Sequence, residues 1–166
     1  NRPRRRPPRA ALPERRTMPV STSRTGAALQ ALALLWAGML LGVAFIAVPA
    51  QFSAEGLTRP LGIDITRHVF ATFNRVEIGL AALTLVLALL DRRGARLWAL
   101  LGLVWPIVAL QSFWLLPALE LRAEQILEGQ SPPPGPWHGL YVGSEVTKLL
   151  ALLLIAWRAP ARSVRP

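Results

Sequence analysis

The sequence contains no cysteine. That absence removes disulfides, thiolate metal sites and every Cys-x-x-Cys redox mechanism, quinone-linked thiol oxidation included. Charge is scarce too. Only 17% of the 166 residues are Asp, Glu, Lys or Arg, against about 25% in soluble domains. Lysine is nearly missing: 19 residues are basic, and Lys148 is the one that is not Arg. Histidine occurs only as His68 and His138, and tyrosine only as Tyr141. No phosphate-binding loop, nucleophile elbow or metal-hydrolase signature is present.

Apolar residues take the place of what is missing. They make up 52% of the chain, with a mean hydropathy of +0.38. They gather into runs at 26–48, 68–90, 97–116 and 138–157. Each run is close to the ~20 residues needed to cross a hydrocarbon core of roughly 30 Å. The expected fold is all-α: an integral membrane four-helix bundle over 26–158, between tails at 1–25 and 159–166.

The first tail is rich in Arg and Pro and carries a net charge of +7. It has almost nothing to bury, so disorder is expected. It lacks interleaved aromatics on which bases could stack, so no nucleic-acid partner is expected. Met18 precedes the first apolar run and offers an alternative start of translation. The run ends in Ala47-Val48-Pro49-Ala50, which loosely matches a signal-peptidase site. It is longer than a signal-peptide core, so the span should be retained. Gly38 and Gly42 within it form a GxxxG pair, which permits close approach of another helix.

The N-terminal tail, the Asp91–Arg96 turn and the C-terminus are Arg-rich, and the loops 51–67 and 117–137 are not. The positive-inside rule therefore puts both termini and the turn in the cytoplasm; so strong an excess of Arg over Lys is associated with GC-rich bacterial genomes, and the expected location is a bacterial inner membrane. Trp98 and Trp157 then fall near the inner face, and Trp114 and Trp137 near the outer face, where aromatic anchors belong.

Polar residues inside such spans mark sites, because each costs a few kcal/mol on insertion scales. The fourth run carries His138, Tyr141, Glu145 and Lys148 at helical spacing on one stripe. The second carries His68, Asn74, Arg75 and Glu77. The third carries Gln111 and a kinking Pro106. The two halves also look alike, as two hairpins of the same orientation: Val48-Pro49-Ala50 closes the first span, Leu116-Pro117-Ala118 closes the third, and a His opens the span that follows each. Aligning the two His residues puts Arg75 opposite Glu145 at equal depth, which predicts a buried Arg75–Glu145 pair. Glu77 lies about 200° around the helix from Arg75. It is left to face Gln111, reach Lys148, or hold a proton.

These residues resemble a family of small, uncharacterised bacterial four-helix membrane proteins. The likeness rests on Leu35-Trp36-Ala37-Gly38-Met39, Phe73-Asn74-Arg75-Val76-Glu77, Leu116-Pro117 with Arg122-Ala123-Glu124, and His138-x-x-Tyr141-x-x-x-Glu145-x-x-Lys148-Leu149. That family carries a domain of unknown function. It is similar to a eukaryotic transmembrane protein linked to drug resistance and, distantly, to copper-resistance D membrane proteins. The resemblance covers about 27–158 and implies a fold and a location rather than an activity.

The chain is expected not to be an enzyme. Ser144 sits beside Glu145, but neighbours on a helix point about 100° apart. No cofactor or metal is expected, with His68 and His138 as the only candidates for haem or copper. The first expectation for the polar cluster is to organise the bundle; a small transporter or a proton or ion pathway is the alternative. Expected partners are the bilayer and a membrane-protein partner or a second copy. The orientation is testable: alkaline phosphatase fused after Glu55 should be active, and fused after Arg93 inactive, in colonies of an expressing bacterium.

Overall fold

The structure, a computed structural model, describes residues 24–90 and 95–159. The expectations for 1–23, 91–94 and 160–166 lie outside the described residues. Four helices are long and apolar enough to cross a membrane: α1 (Arg24–Gln51), α2 (Arg59–Leu90), α3 (95–127) and α4 (Trp137–Arg158). In lipid a helix satisfies the backbone polar groups internally, and runs this rich in Leu and Ala have little else to do.

Both long connections are shorter than the apolar runs alone imply. α2 starts nine residues before His68, because Thr58 caps it. The Leu61 N–H donates to Thr58 Oγ1 (3.4 Å) and the Gly62 N–H to Thr58 O (2.9 Å), while Pro60 fits the first turn. α3 runs past Leu116 to Leu127, then closes on Gly129 at φ +83°. The Gln130 N–H bonds Gln125 O (2.9 Å) and the Gly129 N–H bonds Ile126 O (3.1 Å), which is a Schellman closure. α1 likewise takes in Arg24 and Thr25, which the sequence left in the tail.

The helices form a ring in chain order. α1 packs on α2, α2 on α3, α3 on α4, and α4 back on α1, so α2 and α4 face each other across the diagonal. Apolar residues cover the outside, among them Leu35, Ile46, Leu83, Leu89, Leu90, Leu110, Phe113, Leu150 and Trp157. That is a lipid-facing surface rather than a soluble one. The half of the bundle nearest the chain ends holds a dry core that includes Leu29, Ala33, Leu101, Leu152 and Ile155. Gly38 and Gly42 point away from it, with no neighbouring atom within 4 Å of where a Cβ would stand, so the GxxxG pair joins no helices among the described residues.

α1 and α3 share a further device. Each widens into π-helix, over Leu41–Ala47 and Gln111–Leu115, and each π segment ends two residues before a proline, Pro49 or Pro117. The Val48 N–H bonds Val43 O, and the Leu116 N–H bonds Gln111 O. Proline cannot donate to the helical ladder and crowds the carbonyl four residues back; the wider turn accommodates both effects. The two prolines are 68 residues apart, and burial recurs at that offset. Leu29 matches Leu97, Ala33 matches Leu101, Trp36 matches Val104, Leu40 matches Val108, Phe73 matches Tyr141, Glu77 matches Glu145, and Ala88 matches Ala156, all of them buried. The halves therefore correspond through their prolines and not through their histidines, which are 70 residues apart.

Gly129 has open space around it but a left-handed backbone, so a side chain there costs strain alone. Gly129→Ala should lower stability by about 1 kcal/mol, read as a lower midpoint of thermal unfolding in detergent.

Candidate functional site

At the centre of the ring lies the ammonium of Lys148, with no exposure to solvent. An ammonium has three N–H groups, and here each meets an acceptor. Nζ lies 2.6 Å from Glu77 Oε1 on α2, 3.0 Å from Glu145 Oε1 one turn away, and 2.6 Å from Gln111 Oε1 on α3. The partners are held in turn. Gln111 Nε2 donates to Ser144 Oγ (2.7 Å) and Glu145 Oε1 (2.8 Å), so its amide is fully used. Trp36 on α1 donates its indole N–H to Glu77 Oε1 (2.9 Å). All four helices thus meet at one point, and Glu77 and Lys148 reach across the diagonal to do so.

Two oxygens stay outside this network. Glu77 Oε2 and Glu145 Oε2 are buried and have no hydrogen-bond partner among the described residues. They belong to the two carboxylates that correspond through the 68-residue offset. The symmetry stops there: Lys148 matches Leu80, and Gln111 matches Val43. Two carboxylates therefore share one ammonium, and the fully ionised cluster carries an excess charge of −1.

Above the cluster, a cavity of about 1000 Å³ opens toward the end of the bundle that carries the 52–58 and 128–136 connections. Its walls are apolar, with Phe45, Pro49, Phe70, Leu116 and Pro117 among them, and its deep end reaches Asn74, Ser112, Tyr141 and Glu145. Asn74 donates to Ser112 Oγ (3.0 Å), joining α2 to α3. Tyr141 is 3% exposed, and Phe70 packs edge-on against it at 5.1 Å. The cavity opens where α1 parts from α4 while Gln51, at its end, still bonds Gly62 O and Thr66 Oγ1 on α2. Beyond Leu40 its residues to Gln51 include none that is buried, and its extensive contact with α4 belongs to the stretch before. The mouth is braced by Arg67, which bonds Asp64 Oδ1 and Glu120 Oε1 (2.7 Å each), and by Arg122, which donates to the carbonyls of Pro132 (3.2 Å) and Pro133.

Of the residues picked out from the sequence, Asn74, Glu77, Gln111, Tyr141, Glu145 and Lys148 are buried together at or just above the centre. Arg75 is not among them. It is exposed on α2 and forms no ion pair among the described residues, which corrects the expected Arg75–Glu145 pair. Glu145 takes Lys148 instead, and Glu77 takes the place foreseen for Arg75, two residues and about 200° further round α2. The histidines part company. His138 lies at the rim of the large cavity, whereas His68 borders a second cavity with Val43 and Thr72. The His68 ring sits 2.8 Å from Asp64 O at Nδ1. Among the described residues no three His, Asp or Glu side chains gather as a metal site would require. Trp36 was missed as a member of the cluster. Its indole N–H in an otherwise apolar span was the available signal, since a buried Trp N–H usually finds an acceptor.

Removing Lys148 leaves two carboxylates facing each other without a cation, which costs about 3–5 kcal/mol. Lys148→Met should abolish accumulation in membranes. The triple change Lys148→Met, Glu77→Gln, Glu145→Gln should restore much of it on an immunoblot.

A family described as a domain of unknown function (DUF4149) has a model that matches residues 31–126, more than half of the chain. The match runs from within α1 to near the end of α3 and stops short of α4, which carries Tyr141, Glu145 and Lys148. No curated protein and no solved structure matches the chain.

Proposed function

The chain belongs to the DUF4149 family, and from that premise, which brings no activity with it, we propose that it is a non-enzymatic inner-membrane protein that binds a small lipophilic molecule from the outer side. Both termini lie in the cytoplasm, and the cavity faces the periplasm and the outer leaflet. One observation carries the reading: a cavity of about 1000 Å³ whose deep end reaches Glu145, a buried carboxylate with an unbonded oxygen. Apolar walls with a few convergent polar groups at the base are what ligand sites share, and the volume suits a drug-sized molecule.

The charged cluster has a double part in this reading. It fixes the four helices, and it forms the floor of the pocket. The dry core beneath it argues for a one-sided pocket rather than an open pore. A proton or ion pathway is the second reading, favoured by the cluster's excess of one carboxylate over its ammonium. It needs a second arrangement of the helices that opens the core below Lys148.

The absence of cysteine gives a labelling test without background. Ala71 lines the cavity, and Leu101 is 1% exposed in the core below. A membrane-impermeant maleimide added to the outer face of spheroplasts should label Ala71→Cys and leave Leu101→Cys untouched. Labelling of both positions, of neither, or of Ala71→Cys only in inverted vesicles overturns the proposal.

A further inference from the structure

We infer that the ligand is a lipophilic organic monocation with an N–H to donate, and that its cationic head docks on Glu145. The inference rests on the proposed pocket and adds its chemistry. The first ground is charge. Glu77 and Glu145 share the one ammonium of Lys148, whose three N–H groups are all committed, and the amide N–H groups of Gln111 are committed too, so neither residue has an N–H left for the second oxygen of either glutamate. A desolvated site with one carboxylate in excess is stabilised by one added positive charge, either a proton or a cation. The second ground is position. Of the two open oxygens, the one on Glu145 belongs to a residue that lines the cavity, whereas Glu77 does not line it. An arriving cation therefore meets Glu145 first.

The charges around Glu145 favour one added cation. α4 supplies Lys148 and Tyr141, and α2 supplies Glu77; α3 and α1 bring the neutral Gln111 and Trp36. Nearer the mouth, Arg67 is engaged by Asp64 and Glu120, and Arg122 by backbone carbonyls. Arg75 borders the cavity as well. Repulsion from its guanidinium disfavours cations bearing more than one charge and holds the class to monocations. The entry route follows from α1. Between its outer half, which buries nothing, and α4, the cavity lies beside the bilayer, so an amphiphile can slide in tail-sideways with its ammonium leading to the floor. Once there, the ammonium donates one N–H to Glu145 Oε2, the oxygen left unbonded by the cluster.

The probe is octylammonium, with 1-octanol and octanoate as neutral and anionic controls, titrated calorimetrically into the full chain in lipid nanodiscs. Octylammonium should bind at least about tenfold more tightly than either control, as expected for one charge-assisted hydrogen bond. Glu145→Gln should abolish that preference while octanol binding persists. Should Glu145→Gln fail to accumulate, Ala71→Trp fills the pocket without touching the cluster and should abolish binding of all three probes. If octanol or octanoate binds as well as octylammonium, the inference fails while the pocket stands. If none of the three binds to the unaltered chain, the pocket reading fails with it.

Discussion

A single ammonium holds this bundle together. Lys148 draws a carboxylate from the opposite helix, a carboxylate from its own, and an amide from the third, and an indole from the first completes the ring. In a membrane, apolar packing distinguishes poorly between one helix arrangement and another, because lipid tails are as apolar as leucine. A polar knot does distinguish. Any rotation of α2 that withdraws Glu77, or of α3 that withdraws Gln111, leaves part of the ammonium unbonded in a dry core, and an uncompensated buried charge is among the costliest defects a structure can carry. The knot thereby fixes the rotation of every helix about its axis.

The cavity depends on the same knot. Because the helices are pinned at mid-depth, α1 can diverge beyond Leu40 without loosening the rest. Its π segment and Pro49 carry the divergence. α3 has the same device at Pro117 but stays in contact with α2 there, through Asn74 and Ser112 and through Arg67 and Glu120. One repeated element has thus two outcomes: α3 stays against both α2 and α4, whereas α1 parts from α4 and keeps to α2 through the bonds of Gln51 to Gly62 O and Thr66 Oγ1.

The spans were legible in the sequence, since four apolar runs of membrane-crossing length admit little else. So was the stripe on α4, because Glu145 and Lys148 one turn apart can only share a face. Which residue of α2 faces Glu145 was not, and the reason is geometric. The two histidines suggested an offset of 70 residues, whereas the backbone repeats at 68, through the prolines. Two residues along a helix turn a side chain by about 200°, so the wrong offset exchanged Glu77, which faces inward, for Arg75, which faces out. Thr58 and Gly129 announced the true helix ends by capping chemistry, but the polar residues around them outweighed that signal. The cavity had no sequence signature at all, because it arises from where one helix parts from another.

The position of the sole lysine also bears on how the protein is made. A chain inserted from its N-terminus delivers α2 to the bilayer before α4 has been synthesised, and domains form in that order. Glu77 therefore enters the membrane with no cation to receive it, and Gln111 follows with its amide unmet. Three helices at that stage can pack only loosely, since what fixes their rotation has not arrived. α4 brings Tyr141, Glu145 and Lys148 together, so its arrival is the step that turns these spans into a single fold. Until then the chain holds an acid without its base.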